Sequence, residues 1–243
     1  MLAQLLNAHY NQNSEDLKFW VDAAARDDTP ILELGCGTGR VSSAIAKAGR
    51  EVYGIDRDHE MLIFLSKDVP ATIKAFVHVV QAQMTAFHFS TRFGKILLPC
   101  NTYSTLNFPE RIATLKNVFH HLDQDGVFIT SIPNPAVLFE LPEEGEAEFE
   151  GIISQPETKT PVQIFSSWEK SSEWVKMSWH YDHLQPDGMI ERVTVSTFHS
   201  LISKGDYLNE MRNAGFNDLK VYGDYDYSTY DRYSPYLILI AGK

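Results

Sequence analysis

Two cysteines in 243 residues, Cys36 and Cys100, cannot make a disulfide framework. No signal-peptide pattern opens the sequence, so the expected compartment is the cytoplasm. Basic residues are scarce: 21 Lys and Arg stand against 32 Asp and Glu, a net charge of −11. With no Lys/Arg cluster either, the chain lacks the basic surface that a nucleic-acid partner requires. Long apolar runs are missing, and none approaches the ~18 residues of a membrane span. Repeats and low-complexity tracts are absent. No metal-ligand cluster stands out, and His180 and His183 fall on opposite faces of an expected strand. Apolar material is ample, 44% of the chain, enough for one large domain or one domain with an insertion.

What is present is concentrated in one stretch. Ile31-Leu32-Glu33-Leu34 follows Pro30 and reads as a short buried strand. Gly35-Cys36-Gly37-Thr38-Gly39 then turns the chain, and Val41 to Gly49 reads as a helix with apolar side chains at Val41, Ala44, Ile45 and Ala48, ended by Gly49. A strand, a Gly-rich turn and a helix start make a nucleotide site: glycines let backbone approach a ligand, and the first helical N–H groups are unpaired. The plain alternative is a tight turn with no ligand.

The acidic-x-Gly-x-Gly-x-Gly pattern of Glu33, Gly35, Gly37 and Gly39 resembles motif I of the class I methyltransferases that use S-adenosylmethionine (SAM). The dinucleotide fingerprint G-x-G-x-x-G fits less well, because its third glycine falls on Arg40 or Ser42. An acid two residues before the first glycine also suits SAM, whose methionyl ammonium needs an acceptor. The resemblance implies that Glu33, Gly35, Cys36, Gly37 and Gly39 bind the cofactor. It continues at Glu51 to Asp56, a second strand ending in an acid. Asp56 would hold a ribose diol in SAM and NAD sites alike; its alternative role is a helix N-cap. Arg57 would line the adenine edge. A third strand is expected over Ile73 to Val80. Beyond it, Gln83-Met84 takes the slot where the family has an acid and an apolar residue against adenine; Gln83 departs from the usual Asp but keeps one amide oxygen as acceptor.

Gly94 to Ser104 reads as the fourth strand and its C-terminal loop, where ligands of open parallel sheets bind. Cys100 is therefore expected near the cofactor, and Asn101 against either the methionyl part of SAM or the acceptor. Pro99-Cys100 is also similar to the nucleophile motif of 5-methylcytosine enzymes, but a small packed cysteine suits this acidic chain better. Before motif I, Met1 to Asp28 reads as two helices, with Ser14 a candidate cap for the second. Tyr10 lies in the break between them. The resemblance places such an aromatic over SAM or in the acceptor pocket, where its face suits a sulfonium; packing against a helix is the alternative.

Arg111 to Leu122 reads as an amphipathic helix and Val127 to Ile132 as the fifth strand. Six glutamates between Glu140 and Glu150 read as a solvated excursion rather than a site. From Gly151 to Ser200 the alternation predicts antiparallel strands, with a hairpin turn at 185–188. In the family such an insertion supplies the acceptor pocket, which makes Trp168, Trp174, Trp179 and Tyr181 candidate walls or core. Lys204 to Ala214 reads as a helix, followed by strands over Phe216 to Tyr222 and Tyr236 to Ala241.

The expectation is a seven-stranded Rossmann-like α/β sheet with helices on both faces and an antiparallel β-insertion after strand five. Residues 1–140 form the SAM-binding core with N-terminal helices, 141–200 the acceptor cap, and 201–243 the return to the sheet. The implied function is methyl transfer from SAM to nitrogen or oxygen of a small-molecule acceptor, in the manner of glycine and aminosugar N-methyltransferases. Tyr10 and His180, with His9 and His199 behind them, are the candidates for taking a proton. The rivals are an NAD-dependent oxidoreductase and a SAM-binding protein without turnover.

Overall fold

The computed structural model describes residues 2–25, 28–155, 158–185 and 187–243. Seven strands make the main sheet: β1 (Ile31–Leu34), β2 (Val52–Asp56), β3 (Val77–Gln81), β4 (Phe93–Leu98), β5 (Leu122–Pro133), β10 (Asp218–Tyr222) and β11 (Tyr236–Gly242). Their order is β3-β2-β1-β4-β5-β11-β10, parallel up to β5, with β11 antiparallel to both its neighbours. All four residues of β1 are buried, as expected of a central parallel strand covered on both faces.

One face of the sheet packs Leu32, Leu34, Ile96, Leu98 and Phe128 against helices α5 (Phe108–His121) and α7 (Lys204–Asn213), through Leu115, Val118, Tyr207 and Met211. The other packs Ile31, Val52, Leu97 and Ile129 against α2 (Leu17–Ala24) and α3 (Arg40–Lys47), through Phe19, Trp20, Val41 and Ile45. Neighbouring strand residues thus serve opposite faces. Helix α1 (Leu2–Tyr10) leaves this core and packs Leu5 with Ile153, Val162, Ile164 and Tyr181 of a second sheet.

That second sheet is the insertion. After β5 and a short helix, α6 (Pro135–Glu140), the strands β6 (Glu144–Ser154), β7 (Pro161–Lys170), β8 (Trp174–Leu184) and β9 (Ile190–Ser200) pair as an antiparallel meander. The glutamate run is therefore not an excursion: its last four glutamates lie on β6, an edge strand exposed at every residue from 146 to 150. Pro186 of the expected hairpin turn lies outside the described residues, as do Met1, Arg26 and Asp27 of the expected N-terminal helices.

Other expectations shift by a turn. Helix α5 starts at Phe108 because Asn107 and Glu110 form a reciprocal capping box. The third strand starts only at Val77; Lys74–Phe76 is a single 3-10 turn, which follows Pro70 and leaves Ile73 packed against Leu62 and Leu65 of α4 (His59–Asp68). Ser14 does not cap α2. Asp16 takes that position without a side-chain capping bond, its carboxylate being engaged elsewhere.

Candidate functional site

Strand order reverses between β1 and β4, and beyond their C-terminal ends opens a cleft of about 1770 Å³. That is the place where open α/β sheets bind ligands. Its floor is the glycine turn. Gly35, Gly37 and Gly39 all have positive φ, 65°, 53° and 84°, for different ends. A Cβ on Gly39 would sit 2.0 Å from Leu65 Cδ1 of α4, whereas one on Gly37 would meet nothing, because Gly37 faces the cleft. The Gly37 amide donates to Asp56 Oδ2 at 2.8 Å, and the Asp58 amide donates to Asp56 Oδ1 at 2.9 Å. Asp58, not Asp56, caps α4.

Below the turn Glu33 is 2% exposed. It accepts a hydrogen bond from the Ser42 hydroxyl. Burial pushes its carboxyl up to about 7, against the pull of Ser42 and Arg40. At the end of β4, Cys100 and Asn101 lie consecutively in the left-handed region, with φ 59° and 61°. Non-glycine residues there carry strain that functional sites commonly retain. The Asn101 Oδ1 atom is buried and has no hydrogen-bond partner in the protein.

The roof comes from the segment between α1 and α2. Asp16 receives both terminal nitrogens of Arg40 at 2.6 Å, and the Trp20 indole N–H at 3.1 Å. Arg40 also donates to Cys100 Sγ at 3.1 Å and to the Asn13 carbonyl at 3.2 Å. The insertion closes the far side. His9 Nδ1 meets the Tyr181 hydroxyl at 2.8 Å, and His9 Nε2 lies 3.4 Å from Glu150 Oε2. His199 bridges Ser104 Oγ (2.8 Å) and Thr197 Oγ1 (3.2 Å). Burial lowers its pKa to about 4, so it is neutral.

Of the residues singled out in the sequence, Tyr10, Glu33, Gly35, Cys36, Gly37, Asp56, Cys100 and Asn101 share the cleft wall. Gly39 packs behind it. Met84 reaches from beside the turn, with its Cε 3.6 Å from the Cβ position of Gly35. Arg57 and Gln83 are exposed and outside the wall. His180 points away: it bonds Ser167 Oγ at 3.0 Å and Thr194 Oγ1 at 2.9 Å on the face of β8 opposite Trp179 and Tyr181. Of the four candidate aromatic walls only Trp179 lines the cleft; Tyr181 is buried behind His9, Trp168 packs with Val175, and Trp174 meets Phe198 on the outer face. Asp16, Glu150, the loop residues Asp224 and Tyr225, and Tyr236 at the start of β11 line it without any local pattern to announce them.

Known proteins resemble this chain in sequence or in fold. Residues 31–126 match the model of a methyltransferase domain. YqeM of Bacillus subtilis (strain 168), provisionally named a methyltransferase, is 30% identical over 114 residues, 46% of this chain and 46% of YqeM. The chain spans about half the length of the curated relatives it matches. Over the whole chain the likeness is structural. A SAM-dependent methyltransferase from Clostridium acetobutylicum superposes with TM-score 0.80 at 14% identity, covering 99% of this chain and 97% of that one. SAM-bound CalS10 from Micromonospora echinaspora, an amino pentose methyltransferase, gives 0.74 at 16% identity, covering 98% and 96%. The oxidoreductase alternative finds no support: a dinucleotide fold continues its sheet with a parallel sixth strand, whereas here β11 enters antiparallel between β5 and β10. Residues 31–126 thus match a methyltransferase domain, in a chain whose fold over nearly its whole length is that of SAM-dependent methyltransferases.

Proposed function

We propose that the chain moves a methyl group from SAM to nitrogen or oxygen of a small-molecule acceptor. The observation that carries this reading is the glycine turn at the β1/β4 switch point, open to the cleft at Gly37 and tied to Asp56 through the Gly37 amide. When bound, SAM supplies an electrophilic methyl on a sulfonium centre.

Each wall residue has a role in this reading. Asp56 accepts from the ribose hydroxyls while keeping the Gly37 amide in place. Asn101 Oδ1 accepts from the methionyl ammonium, and Glu33 supplies negative potential beneath it. Gly35 and Gly37 let the backbone approach, Cys36 and Met84 pack beside the turn, and Cys100 sits against Arg40. Arg57 and Gln83 are assigned to the open adenine edge. Residues 1–140 and 201–243 form the cofactor-binding core, and 141–200 the cap over the acceptor. The roof held by Asp16 and Arg40 excludes water and aligns the reactants, a contribution worth ~7–11 kcal/mol in favourable cases. A cleft wall with nine carboxylates and two strongly basic side chains is unsuited to nucleic-acid phosphates. Among the described residues no helix is long and apolar enough to cross a membrane. With both cysteines free, the cytoplasm is the compartment we assign.

Thermal unfolding with SAM, S-adenosylhomocysteine (SAH) and NAD tests the reading. A ligand at about 100 times its Kd adds ~2.7 kcal/mol, roughly 5–10 °C for a domain of this size. SAM and SAH should each shift the midpoint and NAD should not; a shift with NAD alone overturns the proposal. Release of SAH in the presence of an acceptor library separates an enzyme from a protein that only binds SAM.

A further inference from the structure

Thr197 and His199 stand two residues apart on β9, so the pleat turns both toward the cleft that they line. Facing them is Thr102–Thr105, the 3-10 turn that follows β4. Ser104 Oγ of that turn lies 2.7 Å from the Asn101 carbonyl oxygen and 2.8 Å from His199 Nδ1. A hydroxyl has one hydrogen to give. The carbonyl only accepts, so that hydrogen goes to Asn101, and His199 Nδ1 in turn donates to Ser104. His199 is neutral, so its Nε2 carries a lone pair and no hydrogen. Thr197 Oγ1, 3.2 Å from Nε2, therefore donates its own hydrogen there. Every hydrogen along Thr197, His199, Ser104 and Asn101 points the same way, out of the cleft. What Thr197 presents to the cleft is an oxygen with lone pairs alone.

We propose that Thr197 is the seat of the methyl acceptor: the O–H or N–H hydrogen of the accepting atom points at Thr197 Oγ1, which leaves that atom's lone pair free to face the methyl. This rests on the methyl-transfer reading and adds the residue that orients its acceptor. Thr197 alone touches the acceptor; His199 and Ser104 act through it as positioning residues, by fixing which way its hydrogen points. An accepting oxygen or nitrogen that carries no hydrogen, as in an ether or a tertiary amine, sets lone pair against lone pair and leaves both without a partner. The seat thus selects for a hydrogen on the accepting atom, a discrimination built from an unfavourable contact with the wrong group as much as from a favourable one with the right group.

Benzyl alcohol and benzyl methyl ether, titrated onto the full chain at pH 7.5 with and without saturating SAH, test the seat. Nitrogen NMR of the histidine-labelled chain should show His199, identified by the signals lost in His199→Gln, with its hydrogen on Nδ1. The alcohol should bind about three- to tenfold more tightly than the ether, the size of one neutral hydrogen bond. It should also move the His199 Nε2 resonance, which the ether leaves in place. Thr197→Val keeps the shape of the side chain. It should bring the two affinities within about twofold and abolish that movement, while SAH affinity, the control for folding, stays as in the parent. Ser104→Ala removes the group that fixes the tautomer and should shift the hydrogen to Nε2. A parent His199 with its hydrogen on Nε2, equal affinities, no binding of the alcohol, or a preference that survives T197V overturns the proposal. A parent chain that prefers the alcohol yet does not bind SAH strikes the methyl-transfer reading and leaves the hydrogen-bond seat standing.

Discussion

Asp16 and Arg40 form a two-pronged ion pair with side chains only 10% and 11% exposed, joining the roof of the cleft to the first residue of α3. The Trp20 indole N–H holds the same carboxylate, so its charge is well satisfied. Removing one partner leaves the other buried without compensation, which typically costs about 3–5 kcal/mol. Arg40→Met should therefore lower the urea midpoint strongly. Adding Asp16→Leu should restore part of the loss, because no orphan charge remains. Urea melts of both variants decide the matter, and a double variant no better than R40M would mean that the pair does not act as a unit.

The same substitution should do opposite things at Gly37 and Gly39. Asparagine tolerates the left-handed conformation better than most residues, so backbone strain is similar at the two sites. At Gly39 the new Cβ collides with Leu65, and Gly39→Asn should cost about 1–3 kcal/mol and lower the thermal midpoint. At Gly37 the side chain enters the open cleft. Gly37→Asn should melt within a few degrees of the parent yet lose at least about tenfold in SAH affinity, a change of roughly 1.4 kcal/mol. Differential scanning fluorimetry beside calorimetry checks both halves.

Why some of this was readable and some not follows from range. Glu33 through Gly49 is a local pattern, strand period to turn to helix period, and its glycines are dictated by neighbours within that turn and α4. Strand order was legible because βα alternation, followed by Ala214-Gly215-Phe216 and a last apolar run, leaves few topologies. The failures are residues whose partners are distant in sequence. Asp16 read as an ordinary residue in the first turn of the second helix because Arg40 lies 24 positions away. Glu150 was hidden in a run of glutamates at every second position of β6, where two register shifts, unmarked in the sequence, decide which way each one turns. His180 and Tyr181 are adjacent, so only the pleat decided that Tyr181 meets His9 while His180 turns to Ser167 and Thr194.

Asp56 serves the fold and the proposed ribose contact through the two sides of one carboxylate. Asp56→Ala removes the acceptor for the Gly37 amide as well as the ligand contact. Hydrogen bonds to charged groups are worth about 1.5–3 kcal/mol, so SAH affinity should fall between roughly tenfold and a hundredfold. Asp56→Asn keeps one acceptor oxygen and should fall between the parent and D56A. An adenosine-free probe, methionine, should bind the three proteins alike if the effect belongs to the ribose end. Calorimetric titration of SAH and methionine into each variant gives the comparison.

Two buried groups should pull the pH dependence of stability in opposite directions. His199 is lowered from 6.5 to about 4 by burial. The unfolded chain therefore binds a proton that the folded chain refuses between pH 6.5 and 4, and stability falls as pH drops through that window. Glu33 is raised from 4.5 to about 7. Here the folded chain keeps a proton that the unfolded chain releases, and stability falls as pH rises from 4.5 to 7. The full effect of either is of the order of 3 kcal/mol, at 1.36 kcal/mol per pKa unit. In the parent the two slopes offset one another near pH 5–6. His199→Gln should remove the acid-side loss and leave a chain whose stability declines steadily from pH 4.5 to 7. Glu33→Gln should do the reverse, leaving stability that rises from pH 4 to 6.5. Urea midpoints at half-unit steps across that range read both slopes, and a variant whose profile parallels the parent's shows that its group does not titrate on unfolding as the burial implies.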